Sequence, residues 1–236
     1  MTRERRRRII RTQRTWTGLG LVAAISFIAG MTDAIGLRLS GDFVSFMTGN
    51  TTRAAISLAD GDIHHSLILL AAVAVFVIGN ALGIVVAHFV PRRIFGVLGS
   101  VSFLLALAAL FEGDHFHLLR FYLVVLSMGM VNAAVEHIEG LPIGLTYVTG
   151  ALSRLGRGIG RFMLGERRFD WTIQAIPWLG MITGAVSGAL LGLVLPDLAI
   201  FVAAILALVV AFSTLFIRRT LHHRFNQRVA SYFARK

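Results

Sequence analysis

Six apolar stretches, each about as long as a bilayer is thick, constrain this chain more than any other feature. They fall at roughly 17–38, 66–90, 94–112, 118–138, 171–194 and 197–217. A helix needs about twenty apolar residues to cross about 30 Å of hydrocarbon. Lipid offers the backbone no hydrogen-bond partner, so only helices or closed barrels can span it, and runs this long read as helices. Little of the 236 residues is left for a soluble domain. The expectation is an all-α integral membrane protein in which residues 17–112 and 113–217 form two membrane repeats. Basic cytoplasmic tails, 1–16 and 218–236, bound it.

Composition agrees, with 56% hydrophobic and 15% charged residues where soluble domains carry about a quarter charged. The net charge of +11 raises the question of nucleic acid, which clustered arginine would suit. The basic residues instead flank apolar spans, where Arg and Lys mark the cytoplasmic side, so no nucleic-acid partner is expected. The partners expected are the bilayer itself, with anionic lipid at the basic tails. The absence of cysteine removes disulfides and thiolate sites. A basic N-terminus followed by an apolar run also fits an export signal, but that run leads into a block with an internal echo and is kept as the first span.

The echo is one of three. Gly30-Met31-Thr32-Asp33-Ala34 returns as Gly129-Met130-Val131-Asn132-Ala133. Met47-Thr48-Gly49-Asn50-Thr51-Thr52-Arg53 returns as Val148-Thr149-Gly150-Ala151-Leu152-Ser153-Arg154, and Gly79 with Gly83 as Gly184 with Gly188. The offsets of 99, 101 and 105 residues drift little, which argues for two copies of one unit.

The stretches at Phe43–Ala59 and roughly 143–161 are short and interrupted by these Thr-Gly motifs. Read as re-entrant segments they leave six spans; read as crossings they give eight spans and parallel repeats. With six, all 23 basic residues except Arg38, Arg53 and Arg120 share the side of the N-terminus, as the positive-inside rule prefers. Asp42, Asp60, Asp62, Glu112, Asp114 and Asp197 fall opposite. Six spans make each copy three crossings, so the second copy is inverted. Inverted repeats recur in secondary transporters, whose sites lie where interrupted segments meet.

Candidate solute or ion contacts follow: Thr48, Gly49, Asn50, Thr51 and Arg53 in the first loop, Thr149, Gly150 and Arg154 in the second. Hydroxyls, an amide and glycines also suit a buried turn that satisfies its own backbone, and both readings stand. Asp33 is sharper, because a carboxylate at the bilayer centre costs roughly 2.5–3.5 kcal/mol on insertion scales. It is either an ion-coupling group or a partner of Arg38 or Arg53, and Asn132 takes its place in the second copy. Glu136 and Asn80 rank below these.

Gly79 and Gly83, and Gly180, Gly184, Gly188 and Gly192, recur at every fourth residue, the spacing with which helices in lipid approach closely. Packing within the monomer is the first reading and a homodimer seam the second. Pro177 inside the fifth span predicts a kink. No histidine pair has a zinc-helix spacing, so no metal and no cofactor are expected. Gly156, Gly158 and Gly160 follow no strand, and Arg154, Arg157 and Arg161 read as an inner-surface stripe. No nucleophile-base spacing points to an enzyme.

The blocks GMTDAIG, FVSFMTGNTT and LTYVTGALSRLG resemble the YoaK-like family of bacterial multi-pass membrane proteins of unknown function, over roughly 17–217. The resemblance implies a bacterial inner-membrane location and no substrate. The leading functional expectation is a small-solute or ion permease or channel with its site between the two Thr-Gly loops and Asp33 on the path. The alternative is a scaffold whose glycine faces bind another membrane protein.

Overall fold

A computed structural model describes residues 3–111, 113–134, 137–138, 141–142, 148–167 and 169–216. Eight α-helices follow in order: α1 (Arg3–Ser40), α2 (Met47–Ala59), α3 (Ile63–Phe89), α4 (Arg93–Leu110), α5 (His117–Ala134), α6 (Val148–Met163), α7 (Ala175–Val194) and α8 (Ala199–Leu215). Short 3₁₀ turns at Asp114–Phe116, Asp170–Gln174 and Pro196–Leu198 lead into α5, α7 and α8. A two-residue pairing of His137–Ile138 with Leu141–Pro142 follows α5.

Six of these helical segments are long and apolar enough to cross a membrane: Thr17–Ser40, Ile63–Phe89, Arg93–Leu110, His117–Ala134, Trp171–Val194 and Pro196–Leu215. Their limits match the apolar runs within a few residues, except that the fourth stops at Ala134 rather than 138. The helix of the first span also runs on toward the N-terminus through the basic segment as far as Arg3. The basic tail at 218–236, Glu112 and Glu136 lie outside the described residues.

Pro177 does not sit mid-helix, because the segment before it is a 3₁₀ turn and α7 begins at Ala175. That puts the proline in the first turn, where its missing N–H would have had no intrahelical partner. The expected kink is therefore absent.

The core is built from α1, α4, α5 and α8. Val22, Ile25, Ile28 and Ile35 meet Val97, Leu98, Val101 and Leu105, Val124, Val125 and Met128, and the alanines 203, 204, 207 and 211 of α8. In the most apolar 18-residue stretch of the first span 72% of the residues are buried inside the protein, against 28% for that of α3 and 17% for that of the span that contains α7. The last two are therefore flanking helices with mostly apolar outer faces.

Glycine fixes what they flank. A Cβ at Gly180, Gly184 or Gly188 would collide with the backbone of Ala23, Phe27 or Met31, so α7 lies directly on α1. A Cβ at Gly79, Gly83 or Gly129 would likewise collide with the backbone of Leu126, Met130 or Phe76, so α3 lies on α5. These five glycines of α3 and α7 are buried, so a homodimer seam or partner surface built on them has no free face. Gly192 stands at the end of its row against the Arg38 stem.

Directions follow from the same contacts. Along α7 on α1, and along α3 on α5, residue numbers rise together, so each pair is parallel. Between α4 and α8 they run oppositely: the Ser102 hydroxyl donates to the Ala204 carbonyl at 2.8 Å, Phe95 meets Phe212, and Arg92 reaches the Leu215 carbonyl. One cavity is lined by the last turns of α1, the first turns of α5 and the start of α8, so α1 is antiparallel to both.

All six directions are thereby set: α1, α4 and α7 point one way, α3, α5 and α8 the other. We call the end where α1 stops distal and the opposite end proximal. Since α1 and α3 are antiparallel, α2 between them does not cross; since α5 and α7 are antiparallel, neither does α6. Both ends of the described chain lie proximally.

Candidate functional site

The connection between α1 and α2 is the most heavily braced piece of irregular chain at the distal end. Asp33, buried in α1, accepts hydrogen bonds at Oδ1 from the backbone N–H of Val44 at 2.9 Å and of Ser45 at 2.8 Å. Asp33 precedes the last residue of α1 by about 10 Å of helix, at about 1.5 Å of rise per residue. The chain therefore turns at Gly41, whose φ of 76° favours glycine, and descends back alongside α1 before α2 begins. A carboxylate accepting two backbone N–H groups is a charge-assisted arrangement, stronger than a neutral one.

Asn50 holds the other side. Its Oδ1 accepts from Phe43 N–H at 3.2 Å and its Nδ2 donates to the Phe43 carbonyl at 2.6 Å. The side chain thereby satisfies both backbone groups of one loop residue, as a strand partner would. Gly49 leaves room for the Phe46 ring, which would overlap a Cβ there. The hydroxyls of Thr51 and Thr52 donate to the Met47 and Thr48 carbonyls within α2, at 2.8 and 3.1 Å, and Thr48 is exposed. Arg53 donates to the Gly41 carbonyl and lies 3.3 Å from Asp42, which His65 also approaches at 3.5 Å. Asp62 caps α3 by accepting from His65 N–H.

The second motif is built differently. Where Asn50 would stand is the buried Ala151, Thr149 is exposed, and among the described residues only the Arg154 guanidinium lies near Gly150. Arg154 Nε donates to Gln174 Oε1 at 2.9 Å, tying α6 to the turn before α7. Gly158 packs on Trp171. Asn132 lies in the last turn of α5, and the Asn80 amide donates to the Phe76 carbonyl of its own helix. Residues 143–147, the approach to the second motif, lie outside the described residues.

The two Thr-Gly helices do not meet. α2 packs on α3 at the distal end, α6 on α7 and its preceding turn at the proximal end, and the pair forms no packed interface. Among the described residues the expected site between the two loops is thus not assembled; each helix is carried on a different flank.

Instead, a half-open cavity of about 220 Å³ lies at the distal end. Gly36, Leu39 and Ser40 of α1, Val44 of the braced loop, Gly113, His117, Arg120, Phe121 and Val124 of α5, and Ile200 of α8 line it. Val44 is the same residue whose amide Asp33 holds, so the carboxylate fixes a wall of the cavity from behind. Arg120 is the site residue that sequence reasoning missed, having been counted only as a basic residue on the acidic side. The signal was available, since a lone arginine one turn inside an apolar span is a candidate on the same grounds as Asp33. Its Nε and Nη2 are buried with no hydrogen-bond partner among the described residues.

Comparison with known proteins adds family and little chemistry. A family profile described as protein of unknown function (DUF1275) matches residues 21–213. The UPF0700 transmembrane protein RA0705 of Rhizobium meliloti (strain 1021) is 53% identical over 228 residues, covering 96% of this chain and 99% of the relative. No solved structure matches.

Proposed function

The chain belongs to the DUF1275 family of proteins of unknown function, and from that premise we propose that this multi-pass membrane protein is a small-solute or ion permease. In this reading it is built from two inverted halves, and solute enters at the distal cavity between them. The observation that carries the proposal is the cavity itself. Elements of both halves line it, and one wall is a chain segment that returns into the bundle alongside α1. Irregular backbone at membrane depth is tolerated where it lines a cavity, and sites at the interface of inverted repeats are the transporter pattern.

The inversion has support in residue register. The contacts Gly79–Leu126, Gly83–Met130 and Phe76–Gly129 have counterparts Gly184–Phe27, Gly188–Met31 and Met181–Gly30. Each counterpart differs by the sequence offsets of 99 and 105 residues. Exchanging the copies thus maps the α3/α5 seam onto the α1/α7 seam, and their opposite directions are those an inverted pair requires.

The proposed location is the bacterial inner membrane with both termini cytoplasmic. Arg92, Arg93, Arg154, Arg157, Arg161 and Arg167 stand at the proximal end with the N-terminal arginines, while Asp42, Asp60, Asp62 and Asp197 stand distally. The bias of basic residues sets orientation. Anionic lipid at the basic proximal end belongs to the same reading, and no catalytic step does.

A counterflow screen of small organic and inorganic solutes in proteoliposomes tests the proposal, comparing wild type with Leu39→Trp, which fills the cavity from its exposed side. A solute that crosses faster than through empty liposomes, and at least about tenfold slower in the variant, supports it. Equal flux in the two proteins, or no flux above empty liposomes for any solute, refutes it.

A further inference from the structure

We infer that the distal cavity is an oxyanion site in which Arg120 is the binding group, recognising a planar carboxylate or a small inorganic oxyanion; this names the solute class and rests on the cavity being the permease entry. The argument begins with what Arg120 lacks. A guanidinium carries five N–H donors and no acceptor, and it stays charged at any pH a protein meets. Leaving such donors buried and unpaired costs more than for a neutral group. Here Nε and Nη2 are both buried without a partner among the described residues.

Those two atoms lie on one edge of the guanidinium. They are the fork that grips two oxygens of a carboxylate, nitrate or phosphate side-on. The residue lines a cavity with room for several water-sized molecules, and binding requires that edge, buried against protein in this structure, to turn onto the occupant.

The surroundings fit a negative charge. His117 lines the same cavity one turn before Arg120, and the first turns of α5 and α8 border it, both positive ends of helix dipoles. α1 brings its C-terminal end, with the Ser40 hydroxyl already donating to the Gly36 carbonyl. Of the carboxylates at this end, Asp33 holds Val44 and Ser45 and Asp42 faces Arg53 and His65, while Asp114 and Asp197 stand in the turns that lead into α5 and α8. The remaining wall, Leu39, Val44, Phe121, Val124 and Ile200, is apolar. Such a lining favours a small anion over a bulky one.

The test is binding to the full-length protein in detergent, read by calorimetry and by thermal stabilisation. Formate, acetate, nitrate and phosphate are titrated at constant ionic strength, with a sodium-versus-potassium series as control. Saturable binding of at least one anion is expected, weakened at least tenfold in Arg120→Gln and partly kept in Arg120→Lys, which preserves the charge and loses the fork. Gel filtration and helical circular dichroism establish that each variant is folded. Should Arg120→Gln fail to fold, Arg120→Lys and His117→Gln carry the comparison.

Absence of saturable anion binding to wild type overturns the inference, as does equal binding to a folded Arg120 variant. Glu112 and Asp114 precede α5 in sequence, so Glu112→Gln/Asp114→Asn is included. Anion affinity that arises only in that double variant overturns the inference too, by making Arg120 the partner of an acid in its own chain. Anion binding without flux in proteoliposomes retires the permease reading and leaves the site. Flux of a solute with no anion binding does the reverse.

Discussion

Asp33→Ala removes the acceptor that holds the loop between α1 and α2, and the structure sets how much should be lost. Two backbone N–H groups, Val44 and Ser45, are both buried and both bonded to the same carboxylate oxygen. Each buried donor left unpaired costs about 1–3 kcal/mol, so the loop should be destabilised by about 2–6 kcal/mol. The lower figure already raises the open population about 30-fold, since about 1.4 kcal/mol is tenfold. The chain has no cysteine, so Ser45→Cys, close in size to the original, supplies a single thiol that maleimide reaches only when the loop opens. Labelling of Ser45→Cys/Asp33→Ala should exceed that of Ser45→Cys alone by about 30-fold or more. Ser45→Cys/Asp33→Asn should fall between, because the amide oxygen keeps both bonds without the charge that strengthens them. Equal labelling in all three proteins would refute the brace and return Asp33 to the list of groups free to bind an ion.

Asn50→Ala takes both partners from the half-buried Phe43 backbone and should lower the thermal midpoint in detergent through a loss of about 1–3 kcal/mol; Thr48→Ala, at an exposed position, should leave the midpoint unchanged. Gly184→Leu drives a side chain into the Phe27 backbone and should abolish monodisperse protein in gel filtration, since overpacking costs about 1–3 kcal/mol even where neighbours can give. Gly99→Ala, with nothing within 4 Å of the new Cβ, is the neutral control. In intact cells, Asp60→Cys should label with a membrane-impermeant maleimide while Glu166→Cys does not, as follows if the distal end faces outward; the opposite pattern would invert the assigned orientation.

The spans were readable because apolar length is a one-dimensional property. Thr17–Ser40 or Ile63–Phe89 must be apolar whatever they pack on, so their limits are written in composition. The number of crossings was readable for a related reason, since Arg92 and Arg93 had to share a side with the N-terminus. The glycine rows were readable as close-approach faces, and the offsets of 99 and 105 residues carry the pairing of α7 with α1 and of α3 with α5, though only once one of the two seams is known. Asp33 and Asn50 were visible as unusual residues, but their targets were not. A carboxylate in a span looks the same whether it awaits an ion or holds the amides of Val44 and Ser45, and only the return path of the loop decides. Arg120 failed for the opposite reason. In sequence it reads as one of three exceptions to a charge rule, and its unpaired edge exists only in three dimensions.

The pairing of α1 with α7 and of α3 with α5 has a consequence for how the protein is made. Residues leave the ribosome in order, and α7 is completed roughly 150 residues after α1, which at about 5–20 residues per second is about 10–30 seconds later. Throughout that interval the α1 backbone at Ala23, Phe27 and Met31 has no partner and must rest against lipid or the insertion machinery. The amino-terminal half therefore cannot finish folding on its own, and cutting the gene between the halves should yield fragments that are stable only when produced together.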